Sequence, residues 1–110
     1  MAIPDSRVSV PIERSDDPAV VVVSGEVDLS NVDELVQALD RAISRHDHVT
    51  VHLADVTFMG LEGGRELVRA ARRLPDRGRL YVVRPSAAVM RMMEILEASR
   101  ERKLVLLPEC

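Results

Sequence analysis

His48-Val49-Thr50-Val51-His52-Leu53-Ala54-Asp55-Val56-Thr57-Phe58-Met59-Gly60-Leu61-Glu62-Gly63-Gly64 holds the change of periodicity around which the rest of the chain arranges itself. Val49, Val51 and Leu53 alternate with His48, Thr50 and His52, the period-two pattern of a strand with one apolar and one polar face. Asp55 to Gly60 reads as a loop, and Leu61 to about Leu74 as a helix. A strand over 48–54 that feeds a helix is one half of a parallel β-α-β crossover.

The flanking segments repeat that unit. Upstream, Ala19 to Val23 is a continuous apolar run, as expected of an inner strand buried on both faces. Before it, Val8, Val10 and Ile12 alternate with Ser9, Pro11 and Glu13. Pro11 has no amide to donate, which puts that strand at a sheet edge. Ser15-Asp16-Asp17-Pro18 is a turn by composition, so these two strands pair as an antiparallel hairpin. Ser24-Gly25-Glu26-Val27-Asp28 leads into a helix for which Ser30 is the expected N-cap, with Asp33 in the capping-box position. Leu29, Val32, Leu35, Val36, Leu39 and Ile43 form its apolar stripe.

Downstream, Pro75, Asp76 and Gly78 break the chain before a short strand at Leu80 to Val83. Ser86 caps a third helix whose buried side is expected to hold Val89, Met90, Met93, Ile95, Leu96 and Ala98. Leu104 to Leu107 is a closing strand. The order β-β-α-β-α-β-α-β predicts one α/β domain over 1–110, with its core at about 8–107. Its sheet is mixed but mostly parallel, with an N-terminal antiparallel edge strand. Right-handed crossovers place the helices mainly on one face.

Composition narrows function. At 110 residues the chain can bury a core without disulfide or metal staples. A net charge of −3 provides no field for nucleic acid, and two aromatics, Phe58 and Tyr81, offer few stacking platforms. Cys110 has no second cysteine to pair with, which suits a reducing cytoplasm. Met1 to Val10 lacks the apolar region of a signal peptide, and no apolar run nears the roughly 20 residues of a membrane span. The expectation is a cytoplasmic protein without direct membrane insertion.

Signatures of catalysis are not found. His46, His48 and His52 invite a metal reading, but His48 and His52, four apart on a strand, have Cα atoms roughly 13 Å apart, too far for one metal ion. Ser24, Ser30, Ser86 and Ser99 lie in no nucleophile-elbow context, and the acidic residues form no acid–base pair. No cofactor, metal or catalytic residue is expected.

Three segments, taken in order, resemble the STAS family, named for sulfate transporters and anti-sigma factor antagonists. Gly25-Glu26-Val27-Asp28 resembles its Gly-Glu-Leu-Asp segment after the second strand. Asp55-Val56-Thr57-Phe58-Met59 resembles its Asp-x-Ser-Phe-Met approach to the second helix, and Arg84-Pro85-Ser86 the opening of the third. The resemblance runs from about Val8 to Leu107. It implies a protein-binding module rather than an enzyme, with an anti-sigma factor of the serine-kinase type, or another STAS-binding protein, as partner. A subunit of a membrane-associated transport ATPase is the alternative, and a small-ligand sensor a more remote one.

The departure from the family pattern lies at Gly60-Leu61-Glu62-Gly63, where the antagonist branch has Asp-Ser-Ser/Thr-Gly. Leu61 holds the phosphoacceptor position of that branch and has no hydroxyl. Glu62 puts a fixed carboxylate in the first helical turn, where it either mimics a modified state or, as is commoner, complements the helix dipole. Gly63 and Gly64 each weaken the helix by roughly 1 kcal/mol relative to Ala, which calls for close approach of a partner backbone or for tight packing on the sheet. Arg65, Arg69, Arg72 and Arg73 form a basic ridge, either a solvated face or a dock for an acidic partner. Glu62–Arg65 and Glu66–Arg69 are spaced as i,i+3 pairs. The partner-binding residues implied are Asp28, Gly60, Leu61, Glu62, Gly63, Gly64, Arg65 and Arg69.

Overall fold

The computed structural model describes Val8, Ser9 and residues 19–108. The chain runs β1 (Val8–Ser9), β2 (Ala19–Val27), α1 (Val32–Ile43), β3 (His48–Met59), α2 (Leu61–Arg73), β4 (Arg79–Val83), α3 (Ala87–Ile95), a 3-10 turn (Ala98–Arg100) and β5 (Leu104–Leu107). The strands lie side by side in chain order. β1 runs antiparallel to β2, with Val8 opposite Val23 and Ser9 opposite Val22, and every other neighbouring pair is parallel. The remainder of the first expected strand, including Pro11, and the turn at 15–18 lie outside the described residues.

Parallel strands need crossovers, and each one here is a helix. α1 packs on α2 and α2 on α3. Toward this helical layer the sheet turns Val21, Val23, Val49, Val51, Leu53, Leu80 and Val82, all at most 1% exposed. Leu35, Leu39, Leu67, Val89 and Met93 of the helices join them in one cluster. On the opposite face Thr50, His52 and Tyr81 are only half-buried, and the His48 and Tyr81 rings lie 6.2 Å apart. The alternation in 48–53 therefore sorts the two faces as expected.

Five expectations need correction. β2 is not sealed on both faces, because Val20 and Val22 share the half-buried side with His52. β3 does not stop at residue 54 but continues to Met59. Ser30 is not the cap of α1: the helix starts at Val32, and Ser30 instead binds Asp28. Leu29 therefore precedes the helix and is exposed, outside the buried stripe. The buried side of α3 is narrower than expected, with Val89 and Met93 inside and Ile95 exposed. The Ser86 cap is as expected, its hydroxyl accepting from the Val89 amide at 3.3 Å.

Candidate functional site

β4 pairs with β3 only as far as His52, yet β2 and β3 run on together to Val27 and Met59. That extension is a two-stranded ribbon at one end of the sheet. Its register shifts twice, between Val22 and Ser24 and again between Gly25 and Glu26, and each shift places one extra β3 residue against β2. Such bulges bend and twist a ribbon. Gly25 makes the second one possible, since its φ of 83° lies where other residues are strained.

Both strands of the ribbon hand over to helices at the same place. The Gly60 amide donates to the Val27 carbonyl at 2.9 Å, so the turn into α1 and the start of α2 adjoin. Asp28 organises that turn. Its Oδ1 accepts from the Ser30 hydroxyl at 2.6 Å and the Ser30 amide at 3.0 Å. Asn31 Oδ1 accepts from the Asp28 amide at 3.0 Å, while its Nδ2 donates to the Glu26 carbonyl at 2.8 Å. The bond from the Ser30 hydroxyl, followed by that from its amide, holds the Asp28 carboxyl below the usual carboxylate range.

α2 begins without a side-chain cap. Gly60 takes an extended conformation, and its carbonyl accepts from the Gly63 amide at 3.1 Å and the Gly64 amide at 3.3 Å, so the amides a helix start leaves without a helical partner are those of Leu61 and Glu62. Leu61 is 36% exposed beside Phe58 at 50%, and Leu29 on the adjoining turn is 73% exposed. Glu62 is half-buried, its carboxylate turned back toward Gly60, and it forms no ion pair with Arg65. The other expected pair forms, with Arg69 Nη1 3.0 Å from Glu66 Oε2.

Gly63 and Gly64 point the other way. A Cβ on Gly63 would come within 2.9 Å of Val27 Cγ1 and 3.2 Å of Met59 Cγ. One on Gly64 would meet Leu96 Cδ1 at 2.6 Å and Met92 Cγ at 2.9 Å. Of the two explanations for this glycine pair, tight packing is the one the contacts support. Asp28, Gly60, Leu61, Glu62, Arg65 and Arg69 thus share an accessible end and flank of the molecule, while Gly63 and Gly64 are buried and set the depth of α2 beneath it.

Two further residues belong to this surface without any local pattern to announce them. Leu29 falls on the period of the α1 stripe yet precedes the helix, and Phe58 lies within a family motif yet faces solvent. The signal for Phe58 is its rarity, because a chain with only two aromatics that exposes one leaves a large apolar surface uncovered. The histidines are not assembled: His48 lies against Tyr81 and His52 is half-buried on the open sheet face. Among the described residues no three His, Cys, Asp or Glu side chains could hold a metal, and no helix is long and apolar enough to cross a membrane.

A mostly parallel five-stranded sheet with helical crossovers matches the STAS fold. The chain belongs to the STAS family, matching over residues 10–108 the family model described as the Mlab STAS domain. Solved structures share the fold. The crystal structure of an anti-sigma factor antagonist from Mycobacterium paratuberculosis is similar with a TM-score of 0.80 at 24% identity, over 98% of this chain and 91% of that one. Unphosphorylated SpoIIAA, an anti-sigma factor antagonist, gives a TM-score of 0.69 at 16% identity, covering 91% of this chain and 85% of that one. A putative anti-sigma factor antagonist from Thermotoga maritima gives 0.65 at 16% identity, covering 89% and 83%. Among curated proteins no sequence matches.

Proposed function

We propose that this chain is a non-catalytic, cytoplasmic protein-binding module that regulates or scaffolds a partner, in the manner of an anti-sigma factor antagonist but without a phosphorylation switch at residue 61. The observation that carries this reading is the end of the ribbon, where Leu29, Phe58 and Leu61 are exposed around the Asp28 turn and the open start of α2. Apolar side chains left in water at one end of a small domain are characteristic of a contact surface. Arg65 and Arg69 extend that surface along α2. Leucine cannot take a phosphoryl group, so binding here is set by partner supply rather than by modification at this position.

The test is affinity capture from the source cell with wild type beside Leu61→Asp and Arg69→Glu, followed by purification of the captured protein. Loss of the partner with both variants supports this surface, and unchanged capture by both overturns it. Incubation with serine-kinase anti-sigma factors and ATP is expected to leave residue 61 without phosphate. Phosphate on exposed Thr57, whose hydroxyl donates to the Gly25 carbonyl at 3.3 Å, would restore a switch and refute the unswitched reading.

A second reading keeps the surface and changes the partner to a membrane-associated transport ATPase, with this chain as its STAS subunit. Leu61 favours it, because a permanent structural contact needs no acceptor. Co-purification with an ATP-binding subunit in place of a sigma-regulatory kinase distinguishes the two.

A further inference from the structure

Beside Phe58 the surface does not close. A groove of about 460 Å3 opens between the end of β3 and the first turns of α3, lined by Phe58, Met59, Ala87, Ala88, Arg91 and Met92. Its position follows from backbone constraints. The Ser86 amide donates to the Leu53 carbonyl at 3.3 Å, pinning the start of α3 to β3, while the ribbon carries Phe58 beyond that point. Ala87 and Ala88 are too short to fill the space. Gly63 and Gly64 bring the α2 backbone against Met59 and Met92, so the floor is a supported methionine surface.

We propose that this groove receives an apolar anchor side chain from an acidic amphipathic segment of a protein partner, with a carboxylate of that segment on Arg91. This rests on the protein-binding reading above and specifies the chemistry of the partner. Charge argues for an acidic occupant. Arg91 is exposed at the groove rim, and its guanidinium has no bond among the described residues. Leu96, which lies with Met92 over Gly64, borders a second cleft of about 340 Å3 lined by Arg65, Val68, Arg69 and Arg72. Arg65 is likewise without a partner among the described residues, while Glu66 and Glu101 are engaged by Arg69 and Arg72. A segment leaving the groove along α2 therefore meets one unpaired cation, Arg65, in addition to Arg91 at the groove itself. Methionine walls suit such a role, because the unbranched thioether adapts to the shape of the anchor. A polarised rim beside an apolar pocket is also how a short segment is held in register.

The probe is a displayed library of random 12-residue peptides selected on the purified protein. The binding peptides are then titrated into protein labelled with 13C at the methionine methyls. The expected result is enrichment of peptides with a Leu, Ile, Phe or Trp within four residues of Asp or Glu. Their binding moves the Met59 and Met92 methyl signals and leaves Met90 in place. Arg91→Glu and Ala87→Glu, both on exposed helix positions that leave thermal unfolding unchanged, weaken the peptides about tenfold or more. No such consensus, or shifts that spare Met59 and Met92, overturns the proposal. A captured cellular partner that is lost with Leu61→Asp but indifferent to Arg91→Glu and Ala87→Glu also overturns it, while the broader docking reading stands. Conversely, peptides that occupy the groove when no cellular protein depends on Leu61 support the groove and remove the docking role of the ribbon end.

Discussion

At the level of single residues, the Asp28 turn and the glycines of α2 make opposite demands. Asp28 lies at the surface, so its hydrogen bonds act through charge and geometry rather than burial. Its folded-state pKa lies below its ordinary, unfolded value. The stabilisation it gives the turn is therefore present above that value and is lost as the pH falls through the folded pKa. Ser30→Ala removes the leading cause, and a carboxyl-carbon NMR titration is expected to show the Asp28 midpoint moving up toward the ordinary range. An unchanged midpoint would mean that the Ser30 hydroxyl does not matter. The glycines respond to added volume. Gly60→Ala is expected to stay within about 0.5 kcal/mol of wild type, since its φ of −76° suits any residue and the contact nearest its Cβ, at 3.1 Å, is the movable Glu62 carboxylate. Gly64→Ala gains roughly 1 kcal/mol of helix propensity and loses about 1–3 to overpacking against Leu96 and Met92. A net loss on the order of 1 kcal/mol in urea unfolding is the expected outcome.

At the level of elements, a buried lysine closes α2. Lys103, at the entry to β5, donates from Nζ to the Leu74 carbonyl at 2.6 Å and the Arg72 carbonyl at 3.0 Å, binding carbonyls the helix leaves unpaired at its C-terminus. Lys103→Met keeps the aliphatic stem and strands those carbonyls, so a loss of roughly 1–3 kcal/mol is expected, read as a lower urea midpoint with an unchanged slope. No local pattern announces this tie, because lysine before an apolar run looks like any solvated residue and its partners lie about thirty positions earlier. What can be read from the sequence are elements with unbroken periodicity: the 48–53 alternation, the run at 80–83, the Ser86 cap and the helix from Leu61. The far half of β3 is hidden because its bulges change the spacing of buried residues from two, at Val49, Val51 and Leu53, to three, at Val56 and Met59. A three-residue interval matches no strand template. Ser30 misleads for a related reason, since a hydroxyl that can cap a helix can equally bind a carboxylate two residues back. Of the candidate site, the Leu61 junction and the Arg ridge are visible as residue types, but the groove beside Phe58 depends on α3 being pinned to β3, which only the fold supplies.

For the whole molecule, the division of labour runs along the strands. The central part of the sheet is sealed beneath the helices, whereas the ribbon beyond His52 carries the turn, the open helix start and the exposed apolar residues. Changes to the ribbon surface are thereby separated from the residues that hold the core. The strand order adds a different kind of consequence. Because the strands sit in the sequence in which they are made, none has to be wedged between two that have already joined. A chain emerging from the ribosome can add β3, β4 and β5 in turn to an open edge, each with its helix. The tie from Lys103 arrives last, so until the final strand is in place the far end of α2 remains hydrated and free to fray.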